Sequence, residues 1–129
     1  MSERIGKYVN SIVRFLKLHP MIKDVAVERR IITRNRGYIK ATVTFVNDSQ
    51  LCIREFIDGR LRKIDYAYHY QGSDGKLVFR YDNAPHHADV TTFPHHKHVS
   101  NKPKPESTEE KTVIDVVAEI VKTIRKELF

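Results

Sequence analysis

A single cysteine, Cys52, is all the thiol chemistry available to this chain of 129 residues. It can build neither an internal disulfide framework nor a cysteine-based zinc site, and it suits a reducing cytoplasm. Long hydrophobic runs are also missing. No stretch approaches the roughly 20 apolar residues that a membrane-spanning helix needs. The opening Met1-Ser2-Glu3-Arg4-Ile5-Gly6-Lys7 leads into a mixed apolar and charged segment without a signal-peptide core. Internal repeats and low-complexity segments are absent too. Secretion and membrane residence are therefore not expected. What is present suits one domain spanning residues 1–129: 40% of residues are apolar, which supplies one modest core and is too much for a disordered chain.

The next scarcity is of acid. The formal net charge is +7, and the whole excess lies before residue 101. Arg29, Arg30, Arg34, Arg36 and Lys40 follow one another without an intervening carboxylate, and Arg54, Arg60, Arg62 and Lys63 form a second group. A surface of this kind attracts polyanions, of which phosphate backbones are the commonest inside cells; the bland alternative is a solvated face that keeps a small protein soluble.

Periodicity sets the fold class. Ile5, Val9, Ile12, Val13, Phe15 and Leu16 form a helical stripe over residues 3–18, which His19-Pro20 ends. From residue 24 the period becomes two: Val25, Val27 and Ile31 alternate with polar neighbours. Tyr38–Val46, Leu51–Ile57, Leu61–Gln71 and Lys76–Asp82 then read as strands joined by short turns, Asp58-Gly59 being one hairpin signal. Residues 83–106, with four prolines and five histidines, read as a long functional loop. A last helix is expected over 107–128, with Ser107 and Glu110 as its capping box. The expectation is an α+β fold, an antiparallel β-meander of about five strands with N- and C-terminal helices packed on one face.

Six of the seven histidines fall between residues 69 and 98. Tyr68-His69-Tyr70-Gln71, Phe79-Arg80-Tyr81-Asp82-Asn83-Ala84-Pro85-His86-His87 and Phe93-Pro94-His95-His96-Lys97-His98 could converge at one end of the sheet. Three functions compete with a structural role for the loop. In metal-free RNA cleavage, Arg80 holds the phosphate and two of His86, His87, His95, His96 and His98 act as base and acid, with His69, Tyr70 and Asp82 in support. This reading needs no cofactor. In a metal reading, His86, His95, His96 and His98 hold a divalent ion, although their spacing matches no established signature. In a binding reading the segment only grips nucleic acid or protein. The basic groups above, excluding Arg54 and adding Lys97, are the candidate nucleic-acid contacts.

The same three runs, in this order and spacing, resemble the hallmark motifs of the TumE-type toxin family over roughly residues 3–128. That resemblance implies a small growth-inhibiting toxin encoded beside a DNA-binding helix-turn-helix antitoxin. It implies no catalytic assignment; RNA as the target is an analogy with other small basic toxins. The helix after His98 is left free to serve packing, homodimer formation or antitoxin binding.

Overall fold

The computed structural model describes residues 3–85, 87 and 89–128. Helix α1 (Glu3–Leu18) leads into strands β1 (Ile22–Ile32), β2 (Arg36–Phe45), β3 (Gln50–Asp58), β4 (Lys63–Gln71), β5 (Leu77–Asp82), β6 (His96–Val99) and β7 (Glu106–Ser107), and helix α2 (Val113–Leu128) closes the chain. The strands form one sheet in sequence order, each antiparallel to the next. The α+β meander is as expected, but it has seven strands rather than five. The two additional strands lie in the segment read as loop. Four residues of His-Lys-His-Val carry no apolar alternation to announce β6, and β7 is only two residues long.

Both helices lie on the same face. Their apolar stripes, Ile5, Val9, Ile12 and Leu16 from α1 and Val113, Val117, Ile120 and Ile124 from α2, join a single core cluster with the inward residues of β2 to β5. In β2 these are Ile39, Val43 and Phe45; in β4 they are Tyr66, Tyr68 and Tyr70. Helix α2 begins later than its expected start. Thr112 and Asp115 form the capping box, with the Asp115 amide donating to the Thr112 hydroxyl at 3.1 Å and the Thr112 amide to the Asp115 carboxylate at 3.0 Å. Ser107 instead belongs to β7, opposite His96. No helix among the described residues is long and apolar enough to cross a membrane.

The core contains a buried carboxylate, Glu55, at a position where the β3 alternation calls for an apolar residue. It accepts hydrogen bonds from the Tyr8 and Tyr68 hydroxyls, and the Lys63 ammonium lies 3.7 Å away. Burial and the adjacent Glu55 carboxylate push both phenols above the usual tyrosine range. The network ties α1, β3 and β4 through groups that cannot be left unpaired.

Close packing of α1 on the sheet needs a missing side chain at Gly37. A Cβ there would stand 2.5 Å from Ile5 Cγ2 and 3.1 Å from Ile57 Cγ1. Gly37→Ala should therefore destabilise the fold by about 1–3 kcal/mol, the usual cost of an overfilled core. A urea titration checks this, and an unchanged midpoint would mean that α1 moves away freely.

Candidate functional site

Helices cover one face of the sheet, so the opposite face is left to the outward residues of each strand. The register arranges them in cross-strand rows. One row runs Thr42, Cys52, His69, Arg80, His98; the next runs Lys40, Arg54, Ala67, Asp82, His96. Neighbours in such rows have Cβ atoms about 5 Å apart, close enough for long polar side chains to bond. The small Ala67 leaves room between Arg54 and Asp82.

Asp82 is the hub of the polar end of these rows. It is 5% exposed. Its carboxylate accepts from Arg80 Nε at 3.0 Å, from the Ala84 amide at 3.0 Å, and lies 2.8 Å from His96 Nε2. His98 Nε2 is 3.9 Å away on the other oxygen. The other ring nitrogen of His96, Nδ1, faces the Pro94 carbonyl at 2.9 Å. Both nitrogens of His96 thus look at acceptor oxygens, so this ring is fixed in place rather than free to turn toward a substrate.

His87, on the segment between β5 and β6, completes a group of three imidazoles. Its ring centre is 4.8 Å from that of His96 and 5.3 Å from that of His98, and the last two are 4.9 Å apart. His69 stands on the far side of Arg80, whose Nη1 is 3.4 Å from His69 Nδ1. Arginine only donates, so this nitrogen is the acceptor. Burial, then the Arg80 charge, lowers the His69 pKa below the usual histidine value. Burial, then the neighbouring His96, does the same to His98.

The structure therefore assembles His69, Arg80, Asp82, His87, His96 and His98 from the expected set. It does not bring Tyr70 or His95 to them. Tyr70 is in the core, its hydroxyl bonded to Ser49 Oγ at 2.8 Å. His95 stacks on Tyr66, whose hydroxyl meets His95 Nδ1 at 2.9 Å. His86 lies outside the described residues. Of the four-histidine metal set of the sequence reading, His96 and His98 come together with His87, His95 stands apart against Tyr66, and His86 is outside the described residues.

The basic residues divide in the same way. Arg29, Arg36 and Lys40 belong to the open face, while a register shift between Val27 and Arg29 turns Arg30 to the other side. Arg34, in the β1–β2 turn, and Arg60 and Arg62, in the β3–β4 turn, are exposed. Lys63 is buried against Glu55 and the Tyr66 and Tyr68 rings. Lys97 points toward α2, pairing with Glu119 at 3.1 Å over the Tyr81 ring. Neither lysine is available to a polyanion on the open face.

Two features went unread in the sequence. Arg54 sits mid-row with Asp65 3.4 Å away, and its buried Nε has no hydrogen-bond partner. Tyr38 and Phe56 form an aromatic pair, ring centres 6.5 Å apart, with the Arg29 guanidinium 5.9 Å from the Tyr38 ring. They line a depression of about 500 Å³ with Arg36. The signal was their parity: Tyr38 and Phe56 occupy the polar phase of strands whose other phase is the core.

Removing the Arg80 charge should raise the His69 pKa part of the way back, since burial, the larger cause, remains. His69 is a base with a depressed folded-state pKa. Its contribution to stability is present above the unfolded value of about 6.5 and is lost as pH falls through the folded value. Arg80→Gln should move the His69 midpoint upward in an NMR titration of the ring proton and soften the acid loss of stability. A midpoint that stays put would remove Arg80 from the electrostatics of this ring.

Comparison with known proteins bears on this face as a whole. No curated protein and no solved structure matches the chain. The family model described as Toxin TumE matches residues 12–128, a span that takes in every strand, both histidine-bearing segments and α2. The chain thus belongs to the TumE toxin family, and is a toxin of a toxin–antitoxin system with an antitoxin as its partner.

Proposed function

We propose that this toxin cleaves RNA on the helix-free face of its sheet. The observation that carries the proposal is the meeting of Arg80, a buried Asp82 and four imidazoles at one end of that face, with basic and aromatic side chains along the rest. Phosphate needs a fixed cation, and Asp82 holds Arg80 by Nε, which leaves Nη2 and the second hydrogen of Nη1, whose other hydrogen meets His69, for the phosphate oxygens. Tyr38 and Phe56 offer ring faces for unpaired bases, with Arg29, Arg36, Lys40 and Arg54 beside them. That combination favours a single strand over a duplex.

In the metal-free chemistry, a base takes the ribose 2′-OH proton and an acid protonates the departing 5′-oxygen. His69 is the base: its Nδ1 lone pair, which accepts from Arg80 Nη1 in the free protein, takes the proton once the guanidinium turns to the phosphate. His87 is the acid, since His96 is committed to Asp82 and Pro94 and burial beside His96 disfavours the protonated form of His98. Asp82 acts through Arg80 and His96 as a positioning residue. A metal-assisted version is favoured by one observation, the close grouping of His87, His96 and His98. The silencing partner is proposed to be a helix-turn-helix antitoxin, and the site of action the cytoplasm.

Incubation of the purified toxin with end-labelled single-stranded RNA tests the reading. Arg80→Ala should reduce cleavage by about 10²-fold or more, and His69→Ala by about 10²–10⁴-fold, with the fold intact by circular dichroism. Cleavage that survives a chelator identifies acid–base chemistry. Cleavage lost to the chelator and restored by zinc or manganese identifies the metal-assisted version. A folded toxin that cuts no RNA under either condition would overturn the proposal and leave the face as a binding surface.

A further inference from the structure

We infer that His87, His96 and His98 form a binding site for one divalent transition-metal ion of the zinc class, with Asp82 as the adjoining carboxylate. The first support is geometric. The three ring centres are 4.8, 4.9 and 5.3 Å apart, the rings are tipped by 70–88° to one another, and one nitrogen from each lies within 4.8 Å of the others. A zinc ion sits about 2.1 Å from each imidazole nitrogen, hence about 3.2 Å from each ring centre. Tetrahedral directions then put the ring centres about 5 Å apart, which is the spacing found, and the nitrogens about 3.4 Å apart, so the rings would turn to close the present separations of up to 4.8 Å.

The second support is the way the ligands are held. His96 and His98 alternate on β6 and so project from one face of it, as a strand presents two ligands to one ion. Nδ1 of His96 is 2.9 Å from the Pro94 carbonyl, the outer contact that fixes the tautomer of a metal-ligating imidazole, and the ion would replace the proton between Nε2 and Asp82. Asp82 Oδ1 lies 2.8 Å from that Nε2 and is itself steadied by Arg80 and Ala84. A carboxylate there can complete the coordination or orient His96.

The third support is electrostatic and chemical. Neutral imidazoles around one cation make a good ligand set. Nitrogen donors select zinc, cobalt, nickel or copper over magnesium and calcium, which prefer oxygen cages. Three histidines leave one tetrahedral position, for Asp82 or, in its place, a water or a phosphate oxygen.

The inference stands on this geometry and does not require RNA cleavage. Calorimetric titration of the tag-free, chelator-stripped full chain with Zn²⁺ alone should give one equivalent bound. Co²⁺ should give visible absorption bands of a low-coordinate complex. His87→Ala and His98→Ala, neither fully buried, should weaken Zn²⁺ binding by about 100-fold or more, and Asp82→Asn by about 10–100-fold. His95→Ala, outside the group, should bind as the unaltered chain does. Absence of stoichiometric binding by the folded chain would overturn the inference, as would binding that persists in both His87→Ala and His98→Ala. Because no RNA enters the titration, a protein that binds zinc but spares RNA refutes only the cleavage reading, and one that cuts RNA without binding zinc refutes only the metal site.

Discussion

A carboxylate that is almost out of water, as Asp82 is, must be met by donors or its burial would cost several kcal/mol. The fold meets it from three directions: a guanidinium two residues earlier on the same strand, an imidazole on the neighbouring strand, and the amide that begins the next loop. Each of these bonds fixes something else. Arg80 is turned so that Nη1 reaches His69, β6 is pinned against β5, and the chain is directed into the segment that carries His87. The site geometry follows from compensating this one charge.

The sheet gives that compensation a place by keeping its two faces apart. On β4 the tyrosines 66, 68 and 70 enter the core, while Ala67 and His69 take the other side. Each face has its own buried carboxylate, Glu55 under the helices and Asp82 on the open side, and each collects a lysine or an arginine with hydroxyls or imidazoles. Lys63 and Lys97, cationic by sequence, are spent inside the packing against Glu55 and Glu119. The open face therefore owes its positive character to Arg29, Arg36, Lys40, Arg54 and Arg80.

Much of this was legible before any coordinates. The apolar stripe of α1 and the alternation of β2 and β3 dictate helix and strands by burial alone, and they read correctly. The family resemblance was carried by motifs that lie on β4, β5 and β6. What could not be read depends on partners distant in sequence. Strand β6 exists because Asp82 and Arg80 face His96 and His98, not because its own residues favour a strand. The capping box could be Ser107 with Glu110 or Thr112 with Asp115, and pairing of Ser107 in β7 decides between them. Tyr70 and His95 share their motifs with residues of the cluster around Asp82, and only the side of the sheet they face separates them.

The six site residues are not held with equal firmness. His69, Arg80, Asp82, His96 and His98 stand on paired strands, so their backbones are fixed by the ladder. His87 alone belongs to the connection from β5 to β6. That connection buries little apolar surface, Val90 being its one buried hydrophobic residue among those described. Its order rests on polar bonds: Thr92 to the His95 carbonyl, the Thr108 amide to Thr92, and Thr91 to Ser107. Segments held this way open more readily than a packed core. The imidazole that closes the three-histidine group is thus the one the fold restrains least, so a ligand shared by all three histidines would order this connection most, and the strand-borne residues least.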